Sequence, residues 1–347
     1  MKQLSYMSEM NRLERLSDIG DPLDRMRLLD WEFFRKPLED GLRTEPRGPG
    51  GRPPIDKLLL FKMTMLSSWY GLSDEKTEFM VNDRLSFQRF LGLDLNDRVP
   101  DAKTLWLFKE GLKVTGLYRE LKDQFVGMLT KQGIVTKEGS LVDASFAEVP
   151  KQRNTRRENK TIKEGGVPGE WLEEGNAYKL EQKDLDARWT KKNGKSYYGY
   201  KNHIKVDKDS KIITDCIVTA ANVHDSQCFE ELLDENDRDV WADSAYTGKA
   251  LHGSIESSYP EIVLNVNEKG NKNNPLTETQ LENNKTKSRI RARVEHVFGH
   301  MAQAMAGLTL RCIGIWRAER DIFLRNLGYN LQRLAYLKGL PVKGKPQ

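Results

Sequence analysis

Gly139–Phe146, GSLVDASF, and Asp239–Tyr246, DVWADSAY, are the two stretches on which the fold turns. Each is an apolar run long enough for one strand, and each carries a single aspartate: Asp143 within the first and Asp243 at the end of the second. A carboxylate on a buried strand loses its hydration and needs a cation or hydrogen-bond donors close by. Either aspartate alone reads equally as a helix N-cap; two on neighbouring strands point to a site.

Between them lie YYGYKNHIKVD (197–207) and KIITDCIVTAANV (211–223), rich in β-branched and aromatic residues and joined by the polar DKDSK, which predicts an antiparallel hairpin. The helix-like DSQCFEELLDEN precedes the DVWAD strand, and a further strand, EIVLNV, ends at Val266. A long helix follows in SRIRARVEHVFGHMAQAM, where Ile290, Val294, Val297, Phe298, Met301 and Met305 trace an apolar stripe. Glu295 lies on it, four residues after Arg291, a spacing that by itself describes an ordinary helix-surface pair. The resulting order of strands and helices predicts an α/β domain with a mixed five-stranded sheet flanked by helices.

Upstream, residues 54–112 read as short helices. Asp56, Ser73 and Asp101 stand as capping residues before apolar positions at three- and four-residue spacing, and glycines close the helices. The size suits a helix-turn-helix-like bundle, or a plain packing domain. A further helix is expected over Tyr118–Gln132. Before residue 54, the basic, Gly- and Pro-rich GLRTEPRGPGGRPP cannot sustain a helix. The expected divisions are an arm and linker at 1–53, a helical DNA-binding region at 54–135, a catalytic domain at 136–336 with an insert at 147–196, and a flexible tail at 337–347.

In 347 residues the net charge is only +5, but its distribution is uneven. KQRNTRRENKTIK (151–163), with Arg153, Arg156 and Arg157, and KTKSRIRAR (285–293), with Arg289, Arg291 and Arg293, are basic patches that suit a phosphate backbone or a solvated surface. Lys201 lies on the predicted hairpin, where it reaches DNA phosphate or simply faces solvent. The three cysteines and five histidines are scattered, so no disulfide framework, thiolate zinc site or histidine cage is expected, and any metal should be held by oxygen. No apolar run has the length of a membrane span or signal-peptide core, which suggests a cytoplasmic, nucleoid-associated protein with no membrane partner.

The ordered phrases SLVDASF, ARWTKKNGKSYYGYKNHIKVD, VTAANVHDSQ, VWADSAYTGK and RARVEHVFGHM resemble the bacterial insertion-sequence DDE transposases of the insertion sequence five family. The likeness runs from about Pro54 to about Leu334. It implies an RNase H-like catalytic fold in which Asp143, Asp243 and Glu295 converge as catalytic, metal-binding acids. Their separations, 100 and 52 residues, are similar to that family's. Around the glutamate Arg291 matches the family pattern, whereas Ser288 and Ala302 stand where Tyr and Lys are usual. Asn222, His224 and Asp225 are implied as supporting residues, or form a turn in which Asp225 caps the next helix.

The implied chemistry is phosphoryl transfer on double-stranded DNA, at transposon ends and target. Two Mg2+ ions, or Mn2+ in their place, would activate water and later a 3′ hydroxyl. No small-molecule substrate is implied, and holding two DNA ends calls for a homodimer or larger assembly. A nuclease that cuts without joining, or a catalytically dead DNA-binding descendant, would share the fold.

Overall fold

A computed structural model describes residues 6–43, 54–270, 273 and 275–339. The glycine- and proline-rich linker from residue 44 to 53 and the tail beyond 339 lie outside the described residues. The chain divides into two compact units, one built from the described residues of 1–122 and 324–347, the other from 123–323.

The first unit is helical. It contains α1 (Tyr6–Asp18), α2 (Arg35–Gly41), α3 (Lys57–Tyr70), α4 (Asp74–Asp83), α5 (Leu85–Leu91) and α6 (Ala102–Thr115). The three expected caps are present: Asp56 accepts from the Leu58 amide, Ser73 from Lys76 and Asp101 from Thr104. Gly71, Gly92 and Gly116 close α3, α5 and α6 in the left-handed conformation, which only glycine enters without penalty. Inside, Trp31, Phe34, Phe61, Trp69 and Phe90 pack edge to face or tilted, at centroid separations of 4.9–6.3 Å. The Trp69 indole donates to the Gly328 carbonyl, tying the last helix into this unit.

Helix α7 (Leu117–Lys131) runs into the second unit, which is α/β. Its strands are β1 (Gly139–Glu148), β2 (Arg188–Lys192), β3 (Lys195–Asp207), β4 (Ile213–Ala220), β5 (Asp239–Ala242) and β6 (Val263–Val266). Helices α8 (Arg156–Lys163) and α9 (Tyr178–Gln182) lie in the insert after β1, α10 (Lys249–Ser258) joins β5 to β6, and α11 (Glu278–Ala304) and α12 (Ile315–Leu337) follow. In the sheet β1 is central, with β3 antiparallel on one side and β5 parallel on the other. β6 runs parallel to β5, and β3 also carries β4 and β2 as antiparallel partners. This mixed sheet with flanking helices is the RNase H-like arrangement anticipated above.

Alternation along β1 sends Val142 to one face and Ala147 to the other. Val142 packs with Phe229, Leu232, Val240 and Ile255, and Ala147 with Tyr200, Leu310 and Ile322, so both faces are covered.

Two local differences from expectation have clear causes. The sheet has six strands rather than five, because TKKNGKS forms a tight hairpin between β2 and β3. Asn193 and Gly194 turn it at φ of 50° and 78°, the left-handed pair that a two-residue hairpin requires. DSQCFEELLDEN is not an α-helix but two short 3-10 turns, Asp225–Cys228 and Glu230–Leu232. Asp225 does not cap the first of them; His224 does, and Asp225 is engaged elsewhere.

The insert is anchored by buried polar contacts. Asp184 accepts from the Tyr200 hydroxyl at 2.7 Å and from the amides of Asp186, Ala187 and Gly314. Trp171 is fully buried and donates to Glu158 at 2.6 Å, while Glu158 closes a capping box with Thr155.

Gly199 sits where β3 crosses the end of β1, at φ 144°, and a Cβ there would lie 2.3 Å from the Ala147 carbonyl oxygen. Gly199→Ala should lower stability by about 3 kcal/mol, whereas Gly194→Ala, strained but in open space, should lose only about 1 kcal/mol. Urea unfolding of both variants checks this, and equal losses would contradict it.

Candidate active site

The β1–β5 ladder pairs Leu141 with Trp241, so two residues further on Asp143 and Asp243 leave it at the same level on adjacent strands. Asp243 ends its strand and caps the next turn, its Oδ1 accepting from the Ala245 amide at 2.7 Å. Asp143 is buried; its Oδ1 accepts from the Ala144 amide at 2.8 Å, and its Oδ2 meets Nη1 of Arg291 at 3.1 Å. The same Nη1 lies 3.5 Å from Oε1 of Glu295, one turn along α11. One guanidinium thus joins the first and third acids, while Glu295 keeps 57% of its side chain exposed.

The Asp143 carboxyl is pushed up to about 6. Burial is the main cause, Glu295 and Asp243 add to it, and the Ala144 amide and Arg291 oppose it. Asp143 therefore feels the charge of both other acids as well as that of Arg291.

Tyr246, three residues after Asp243, is buried against Phe229, and its hydroxyl has no hydrogen-bond partner among the described residues. Burial raises its pKa, and the nearby Asp143, Asp225 and Asp243 raise it further. In the sequence Tyr246 reads only as the residue after a strand; its place among three aspartates comes from long-range packing.

A second cluster adjoins the first. Lys201 is nearly buried and donates to Asp225 at 2.8 Å and to the Val223 carbonyl at 2.6 Å. His203 is fully buried: its Nε2 meets the Thr219 hydroxyl at 2.9 Å, and its Nδ1 has no hydrogen-bond partner among the described residues and lies 3.9 Å from Asp225. Burial lowers the His203 pKa to about 4, which Lys201 reinforces and Asp225 opposes, so the ring is neutral at pH 7. Asn222 and His224 are exposed beside this cluster.

Of the remaining basic residues singled out in the sequence, Arg153, Arg156, Arg157 and Arg289 are exposed, and Arg157 lies 3.6 Å from Glu170. Arg293 turns away from the acids to Asp209 and the Lys208 carbonyl. Trp189 is half exposed, against Tyr198 and beneath Lys151.

Among the described residues no three acidic, histidine or cysteine side chains are gathered closely enough to hold a metal ion. The donor chemistry nonetheless suits a hard divalent cation. The acids are carboxylates under mutual repulsion, and the charge between Asp143 and Glu295 is met by Arg291. No helix among the described residues is long and apolar enough to cross a membrane.

A transposase DDE domain model matches residues 135–331, more than half of the chain. The chain belongs to the DDE transposase family. A second transposase domain model, of the DUF772 type, matches residues 11–111 within the helical unit. Among solved structures, a cryo-EM structure of the piggyBac transposase synaptic complex with hairpin DNA is 11% identical. That match has a TM-score of 0.43 and covers 95% of this chain and 79% of its own. The protein is thus a DNA transposase, of a family that uses divalent metal ions.

Because folding raises the proton affinity of Asp143, its ionised form works against the folded state above about pH 6 and not below the ordinary carboxylate range. Asp143→Asn should therefore stabilise this transposase in EDTA at pH 7.5 by up to about 3 kcal/mol, with the gain shrinking as pH falls from 6 towards 4. Urea midpoints across that range test this; a pH-independent difference would contradict the assigned burial.

Proposed function

We propose that this transposase cleaves DNA at the ends of a mobile element and joins the freed 3′ ends to target DNA, with Asp143, Asp243 and Glu295 as its catalytic acids. The observation that carries this reading is the shared level of Asp143 and Asp243 on adjacent strands, with Glu295 brought in through Arg291. The long ordered phrases favour the insertion sequence five branch.

Asp143, Asp243 and Glu295 would hold Mg2+, or Mn2+ in its place, as carboxylate ligands. When bound, such ions supply activation of the attacking oxygen and stabilisation of the leaving one. Asp143 is fixed by the Ala144 amide and Asp243 by the Ala245 amide, so neither carboxylate is free to rotate away. Arg291 provides a fixed positive charge where a phosphate would approach, and Arg289, Arg153, Arg156 and Arg157 offer exposed charge for the DNA backbone. The helical region, with its own transposase-domain match, is assigned to recognition of the element's ends. Holding two ends together requires at least a dimer on DNA.

Asp143→Asn, Asp243→Asn and Glu295→Gln should each lower end cleavage about a hundredfold or more without loss of folding. EDTA should abolish cleavage, and added Mg2+ or Mn2+ should restore it. The assay follows a labelled end fragment and its joining to plasmid. Full cleavage by any of the three variants would remove that residue from the site, and cleavage without joining would make the protein a nuclease.

A further inference from the structure

We propose that the cleft beginning one residue after Asp143 is a subsite for a single unpaired nucleotide of the DNA strand, with its base stacked on Phe146 and its phosphate held by Lys191 and Lys192. This rests on the reading of the protein as DNA-cleaving and adds where one nucleotide of the substrate lies.

The cleft has a volume of about 250 Å³ and opens between β1, the β2–β3 hairpin and the loop Asn222–Asp225. Pockets for drug-sized ligands start at about 300 Å³, so this one admits a single nucleotide and excludes a duplex. On its wall the Phe146 ring lies parallel to Tyr197, at 4.2 Å between centroids and 15° between planes. The ammonium groups of Lys192 and Lys201 lie 5.9 and 5.6 Å from the centre of the Phe146 ring, and that of Lys195 lies 4.8 Å from Tyr197. An aromatic pair with ammonium groups over its rings offers a nucleobase a π-surface and its phosphate a positive charge, and it works without regard to base identity.

The lysines differ in role. Lys201 is already satisfied by Asp225 and the Val223 carbonyl and forms the floor of the cleft. Lys191 and Lys192 are exposed at the rim, line the cleft and make no ion pair among the described residues, so their charge is available to a phosphate. Asn222, exposed on the opposite rim, presents both a donor and an acceptor to a base edge. Ala144 lines the cleft and directly follows Asp143 along β1, so the two positions share one strand. The exposed Asn193–Gly194 turn, which makes the hairpin, thereby places both rim lysines over the site.

The test uses full-length Asp143→Asn protein in EDTA, so that binding is read without cleavage. The probes are a blunt duplex and the same duplex with a short single-stranded tail carrying 2-aminopurine. The tail should raise affinity, and binding should quench the 2-aminopurine. Adding Phe146→Ala should abolish the quenching and weaken tail-dependent binding about 5- to 100-fold, while Phe146→Trp restores both. Lys191→Ala with Lys192→Ala, on exposed positions that do not threaten folding, should weaken tailed binding and flatten its salt dependence, leaving blunt-duplex binding unchanged. Unquenched 2-aminopurine with equal affinity for both probes overturns the subsite alone. Weakening by the lysine changes without quenching reduces it to a phosphate contact and overturns the base-stacking assignment. Failure to bind either DNA overturns the DNA-cleaving reading itself.

Discussion

A carboxylate held out of water in the middle of a sheet is unstable unless something positive stands against it, and Asp143 is such a group. It lies on the strand with antiparallel and parallel partners on its two sides, so its position is set by two independent ladders. Arg291 answers its charge from α11, which draws that helix onto β1 and brings Glu295, one turn on, to the same place. The β5 register delivers Asp243 without further adjustment. The raised Asp143 pKa follows from placing that one charge in a buried position with Glu295 and Asp243 near it.

One residue further along β3 than the partner of Asp143, a second group of charges is built on a different principle. Lys205 is buried and donates to Asp234 and Asp237 at 2.8 Å each, and Ser140 donates to Asp237 at 2.6 Å. Burial opposes the charge on Lys205, but Asp237 and Asp234 more than offset it, so its pKa is raised. Asp207 accepts from the amide and hydroxyl of Ser210 and closes the β3–β4 turn. Here Lys205 has two aspartate partners within the protein. Asp143 is instead buried with other acids near it that raise its pKa against the pull of Arg291, and perturbation of that kind is what marks a candidate site.

Much of this was legible in the sequence because it is local. The caps Asp56, Ser73 and Asp101 act on amides two or three residues away, and the β3–β4 hairpin is written in alternating β-branched residues and a polar turn. Asp143 and Asp243 stood out as charged residues in apolar runs. The β2 strand was missed because RWTKK is as polar as a loop; its one signal was Asn193–Gly194, the pair that favours a two-residue hairpin. DSQCFEELLDEN has helical spacing, yet Asp225 is drawn to Lys201, 24 residues earlier, and the segment settles into two short turns. No local pattern shows that Lys201 is spent on Asp225 or that Tyr246 sits among acids, since both depend on contacts between distant segments.

Arg291 shows most plainly how context changes the meaning of a residue. As an i,i+4 partner of Glu295 it would contribute a few tenths of a kcal/mol on a helix surface. Placed also against a buried aspartate it becomes the counter-charge of Asp143, with one nitrogen, Nη1, lying between the two carboxylates. The buried Nε of Arg291 has no hydrogen-bond partner among the described residues, so the group retains a donor beyond its hydrogen bond to Asp143 and its ion pair with Glu295. A buried donor left open in this way gains from an incoming anion. In a protein that acts on DNA, the residue that holds the acids together is therefore also the one with the strongest electrostatic reason to meet the phosphate.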